Sequence, residues 1–147
     1  MDDYMRYYEG GRKDTPWQMF RNNVKNIVIE EGVTSIGNGA FENFSNLLST
    51  IIANSVTMIG FSAFSGCIKL STIDIPNSVK TLGAGAFKPC SSLISVVVPN
   101  SVTSSICDTF LGCSSLTSIK IGDGVKTWLE LDYLGLSSEE IIELLED

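Results

Sequence analysis

The chain repeats itself every 23 residues. Rows starting at Val24, Leu47, Leu70, Leu93 and Leu116 align with no insertion or deletion. Three residues into each row stand Ile27, Thr50, Ile73, Val96 and Ile119, and two further on Ile29, Ile52, Ile75, Val98 and Ile121. Then come Val33, Val56, Val79, Val102 and Val125, followed by Ile36, Ile59, Leu82, Ser105 and Trp128. The later half carries Ala40-Phe41, Ala63-Phe64, Ala86-Phe87, Thr109-Phe110 and Asp132-Tyr133, closing at Phe44, Cys67, Cys90, Cys113 and Leu136. One such row cannot bury its apolar side alone, but stacked rows share a continuous core, so the period predicts a solenoid.

Within a row, L-x-x-I-x-I alternates at its end and predicts a short strand with two inward residues. Pro76 and Pro99 end that strand, because proline donates nothing to a parallel ladder. Asn77-Ser78 and Asn100-Ser101 then supply turn chemistry. V-x-x-I-G predicts a second extended piece across the back, with Gly37, Gly60 and Gly83 permitting backbone conformations that other residues resist. A-F-x-x-C predicts one turn of 3₁₀ or α-helix that places phenylalanine in the core. The expected architecture is a right-handed α/β or mostly-β superhelix. About five short parallel strands form one concave sheet, with neighbours about 4.8 Å apart, and short extended and helical pieces form the convex side.

The pattern S-V-T-x-I-G-x-x-A-F-x-x-C-x-x-L-x-x-I-x-I-P resembles the BspA-like, or Treponema pallidum-type, leucine-rich repeats, over residues 24 to about 136. Asp3-Tyr4, Thr15-Pro16-Trp17 and the stretch Val28 to Phe41 are similar to the entry segment of many bacterial members. In those relatives a glycine-rich strand pair usually precedes this point, which leads to the expectation of an amino-terminal truncation. The resemblance implies a leucine-rich-repeat solenoid from a cell-surface or secreted protein of a host-associated bacterium or a protozoan parasite. It also implies a role in adhesion and protein–protein contact, including host extracellular-matrix proteins, and brings no catalytic residues.

The chain contains no histidine, which removes the commonest general base and metal ligand together with any Ser-His or Cys-His nucleophile pair. Its net charge of −7 argues against a nucleic-acid partner. The ten acids and ten bases of residues 1–129 cancel, so the whole excess comes from seven acids in residues 130–147. Among carboxylates within the repeats only Glu31 and Asp123 share a repeat position, four coils and roughly 19 Å apart. Glycosidase-like pairing needs about 5–10 Å. No enzyme and no cofactor are expected. No apolar run approaches the roughly 20 residues of a membrane span, and the opening MDDYMRYYEGGRKDTPW does not have the form of a signal peptide.

Residues 1–23 read as an N-terminal capping segment. They hold Tyr4, Tyr7, Tyr8, Trp17 and Phe20, placed to cover the edge of the Val24–Ile29 strand or, alternatively, to form an aromatic ligand platform. If the covering is incomplete, that edge is expected to pair with a second copy as a homodimer. Residues 24–136 are the repeats. Residues 137–147 read as an acidic capping helix, because Ser137 and Glu140 form a capping box and Ile141, Ile142, Leu144 and Leu145 give it an apolar side. The alternative there is a partner-docking helix.

Cys67, Cys90 and Cys113 share one repeat position and should stack as an internal ladder, with Cys107 off it. A metal site lacks a fourth ligand in register, and neighbouring disulfides would need Cβ atoms at about 3.8 Å, so buried free thiols are expected. Gly37-Asn38-Gly39 and Gly83-Ala84-Gly85 serve the coil turn rather than a phosphate. Ser105-Ile106 breaks the row-four template and predicts a local bulge.

The candidate binding residues lie between the two inward positions of each strand. Val28, Ile51, Asp74, Val97 and Lys120 should form one outward row, flanked by Asn26, Ser49, Thr72, Ser95 and Ser118. Three of these five are large and apolar where solvated positions are ordinarily polar. The competing account is that β-branched residues simply suit strands. The functional expectation is a module that binds a protein or glycan through this row. The alternative is a structural spacer with no ligand of its own.

Overall fold

The structure, a computed structural model, describes residues 17–104 and 108–122. After a short 3₁₀ turn, Gln18–Phe20, the chain alternates between two kinds of short strand. The longer ones are β1 (Asn26–Ile29), β3 (Ser49–Ile52), β5 (Thr72–Asp74), β7 (Ser95–Val98) and β8 (Ser118–Ile121). Between them fall the two-residue strands β2 (Ser35–Ile36), β4 (Met58–Ile59) and β6 (Thr81–Leu82). Every pairing is parallel and joins a residue to the one 23 later, as in Asn26 with Ser49 and Thr72 with Ser95. The protein is therefore a parallel-strand solenoid in which each row makes one coil.

The expected five strands are present, but their ladder is not one sheet. It divides into β1–β3 and β5–β7–β8. Proline alone does not make the break, because Pro99 also lacks an N–H and β5 and β7 still pair. Ala53 and Gly122 donate their amides to the carbonyls of Ile29 and Val98 in the preceding coil, whereas Pro76, at the same repeat position, has no N–H to offer Ile52. The second extended piece is ordered more strongly than expected, because β2, β4 and β6 form a three-stranded parallel sheet of their own.

The A-F-x-x-C segment is not a helical turn, and its hydrogen bonds explain why. Ala40, Glu42 and Phe44 donate to the third residue back, but the intervening amides of Gly39, Phe41 and Asn43 donate sideways to Phe61, Ala63 and Ser65 of the next coil. A 3₁₀ helix needs consecutive amides along one chain, and here every second one belongs to the neighbour. At the ends of the strands the later coil donates to the earlier, as in Leu48 to Lys25 and Gly60 to Ile36. In the turn segment the direction is reversed.

Glycine has two separate duties. Gly39, Ser62, Gly85 and Asp108 share one repeat position and all adopt the left-handed region, at φ of 62°, 53°, 63° and 52°. Gly60 and Gly83 serve differently from the sequence expectation: they are needed for room, not for φ. A Cβ on Gly60 would lie 2.8 Å from the Gly37 carbonyl carbon, and one on Gly83 would overlap the backbone at Gly60 and Phe61.

The core runs the length of the stack. Phe41, Phe64, Phe87 and Phe110 are buried, as are Leu47, Leu70 and Leu93 and the valines Val33, Val56, Val79 and Val102. Consecutive phenylalanine rings stack at 5.4, 5.6 and 5.9 Å, nearly parallel along the series. Trp17 closes the near end of this stack, its ring 5.7 Å from Phe41. Its indole N–H donates to the Ala40 carbonyl at 2.7 Å. In each later coil the matching carbonyl, Ala63, Ala86 or Thr109, accepts the amide of the phenylalanine one coil earlier. Trp17 thus stands in for a ring and for an amide of a preceding coil.

Tyr4, Tyr7, Tyr8, the Ser105-Ile106-Cys107 break, the fifth-row residues Trp128 and Tyr133, and the helix expected over 137–147 lie outside the described residues.

Candidate functional site

The strand face is built by alternation. In β1 and β7 the burial pattern is exposed, buried, exposed, buried. Ile27, Ile29, Val96 and Val98 point inward, so Val28 and Val97 stand outward. The ladder registers pair Val28 with Ile51, Asp74 with Val97, and Val97 with Lys120. The five residues singled out from the sequence therefore share one outward position, grouped as Val28–Ile51 and Asp74–Val97–Lys120. All five are exposed, with Val28 at 56%, Ile51 at 65% and Val97 at 56%.

Beside them runs a polar row of Asn26, Ser49, Thr72, Ser95 and Ser118, all exposed. The Ser49 hydroxyl donates to Asn26 Oδ1 at 2.6 Å. Two apolar residues that the sequence reading did not single out flank the strands. Leu48 precedes β3 and Ile94 precedes β7, at 46% and 51% exposure. Both immediately follow the buried leucine of their row, an apolar pair visible in the sequence as Leu47-Leu48 and Leu93-Ile94.

The cysteine ladder is interior. Cys67, Cys90 and Cys113 are free and buried. Each thiol donates to the phenylalanine carbonyl of the preceding coil: Cys67 to Phe41 at 3.3 Å, Cys90 to Phe64 at 3.4 Å, Cys113 to Phe87 at 3.3 Å. Burial pushes the Cys67 thiol up to about 12 and also raises Cys90 and Cys113. Protonated thiols in an apolar interior are poor nucleophiles and poor metal ligands. Among the described residues, no group of three or more His, Cys, Asp or Glu is placed to hold a metal ion. None of their helices is long and apolar enough to cross a membrane.

The repeat pattern itself matches the model of the BspA type leucine rich repeat region in six copies over residues 18–131. The chain belongs to this family. A leucine-rich repeat protein from Bacteroides ovatus is similar in structure, with TM-score 0.63 and 35% identity over 69% of this chain and 28% of that one. The Treponema pallidum leucine-rich repeat protein shares the fold at TM-score 0.57 and 22% identity, over 81% of this chain and 69% of that one. A Eubacterium ventriosum leucine-rich repeat protein does so at TM-score 0.56 and 20% identity, over 78% of this chain and 36% of that one. The chain thus spans little more than a quarter of the Bacteroides ovatus protein. No curated protein matches it.

Proposed function

We propose that this chain is a non-enzymatic interaction module of a cell-surface or secreted leucine-rich repeat protein. It binds a protein or a glycan through the outward row Val28, Ile51, Asp74, Val97 and Lys120. The observation that carries the reading is the exposure of Val28, Ile51 and Val97, each more than half open to solvent in a molecule whose core is already filled. Exposed aliphatic residues gathered on one face are a common mark of contact surfaces. The strands that hold them are fixed by buried or half-buried neighbours on both sides in sequence, so the row is presented rigidly and loses little entropy on binding.

The test is a binding screen of the immobilised chain against extracellular-matrix proteins and glycans, repeated with Ile51→Asp and Val97→Asp. Surface substitutions away from the core change stability by about 0.5 kcal/mol or less. Binding should fall while the melting temperature moves by no more than about 2 °C. A matching loss of folding would mean that these side chains are core. Retained binding in both variants would place the interaction elsewhere.

A further inference from the structure

Resting on the reading of the strand face as the binding surface, we propose that its partner is an amphipathic α-helix lying along the solenoid axis. That helix carries two apolar side chains one heptad apart with a basic residue between them. On the strand side exposed aliphatic residues come in pairs in alternate coils, with Val28 alone in the first row. The second row offers Leu48 and Ile51, and the fourth offers Ile94 and Val97. The row between them carries exposed Asp74, and Lys120 follows Val97 in register.

Spacing selects the helix. Two coils separate the apolar pairs, about 10 Å at the strand spacing. Helix positions i and i+7 lie about 10.5 Å apart on one stripe. An extended peptide repeats its side chains on one face at about 6.7 Å and then about 13.4 Å, which straddles the spacing and fits neither. A helix advances one turn, about 5.4 Å, for each coil it crosses, so position i+3 or i+4 stands over Asp74 and position i+10 or i+11 over Lys120.

Charge then fixes the register. Asp74 selects Arg or Lys in the middle of the helix, and Lys120 selects Glu or Asp one turn beyond the second apolar residue. The helix dipole then sets the C-terminus toward Lys120, where it favours a cation. A second copy of this chain is a poorer occupant, because a two-fold pairing centred on the row sets Asp74 against Asp74.

The probe is a fluorescein-labelled peptide of about 18 residues, mostly Ala and Gln, with Leu at i and i+7, Arg at i+3 and Glu at i+10. A control peptide of the same composition moves the second Leu to i+5, on another face. Anisotropy should rise saturably with protein for the first peptide and at least about tenfold more weakly for the control. Asp74→Lys should weaken binding about tenfold, Asp74→Asn by less, and exchanging the peptide Arg for Glu should restore binding to the lysine variant. Equal binding of both peptides, or indifference to Asp74→Lys, overturns the helix proposal. If the peptide fails while Ile51→Asp and Val97→Asp abolish binding to a protein or glycan in the screen, the face stands and only the helix falls. If the peptide binds those two variants undiminished, the strand-face reading falls with it.

Discussion

Replacing Trp17 separates the two things it does. Trp17→Phe keeps a ring against Phe41 but removes the indole N–H that bonds the Ala40 carbonyl at 2.7 Å. A lost hydrogen bond of this kind costs about 1 kcal/mol. Trp17→Ala removes the bond, the ring pair and the apolar cover over the end of the stack. Those add about 1 kcal/mol for the pair and about 1–2 kcal/mol for the area, bringing the total to about 3–4 kcal/mol. For a chain of 147 residues a kcal/mol moves the melting temperature by roughly 3–4 °C. Phenylalanine should therefore lower it by about 3–4 °C and alanine by about 10–14 °C. Far-UV circular dichroism melts, paired with urea titrations, read both. Tryptophan fluorescence is unsuitable because the substitution removes one of only two tryptophans. A phenylalanine variant as unstable as the alanine variant would show that the ring contributes nothing. An alanine variant within about 0.5 kcal/mol of the parent would refute the reading that Trp17 replaces part of a preceding coil.

The buried thiols predict alkaline sensitivity. Cys67 is raised from 9.0 to about 12, and Cys90 and Cys113 are raised in the same direction by burial. The unfolded chain sheds these protons from about pH 9 while the folded chain holds them. Their contribution is thus fully present below the unfolded value and is lost as pH climbs toward the folded ones, at about 1.4 kcal/mol per pH unit for each of Cys67 and Cys90 and less for Cys113. Urea midpoints between about pH 8 and 11 should fall more steeply for the parent than for Cys90→Ala, and equal slopes would refute this. Thr109 stands where the earlier rows have Ala40, Ala63 and Ala86, and its Oγ1 is buried without a hydrogen-bond partner. Thr109→Val keeps the shape and removes that hydroxyl, so it should raise stability by about 1 kcal/mol in the same titration; a loss of similar size would show the hydroxyl is paired.

Much of this was legible because one constraint is written five times. The 23-residue spacing locates the inward residues of β1, β3, β5, β7 and β8, the phenylalanine stack and the outward row Val28, Ile51, Asp74, Val97, Lys120. What escaped the reading depends on bonds between coils, which a single row does not encode. The turn segment looks helical from Ala40-Phe41 alone, yet Phe41 gives its amide to Ala63. Gly60 looks like a φ residue until it is stacked on the preceding coil and its missing Cβ becomes the space for Gly37 and Asn38. Trp17 lies 24 residues before Phe41, one out of step with the period, so alignment by rows misses that it occupies a ring position. Leu48 and Ile94 flank the face and are exposed, which periodicity does not report.

The opposed bonding of the two sides of each coil has a consequence for how such a molecule changes length. Each described row presents the next with donors from its turn segment and acceptors from the ends of its strands, and receives the complement in return. A row is therefore an interchangeable unit with the same upper and lower surface chemistry. Losing or duplicating all 23 residues leaves the backbone joint between its neighbours unchanged, whereas gaining or losing a single residue within a strand turns its inward side chains to the opposite face. Length in this architecture is counted in whole rows, and inheritance can lengthen or shorten it without redesigning a contact.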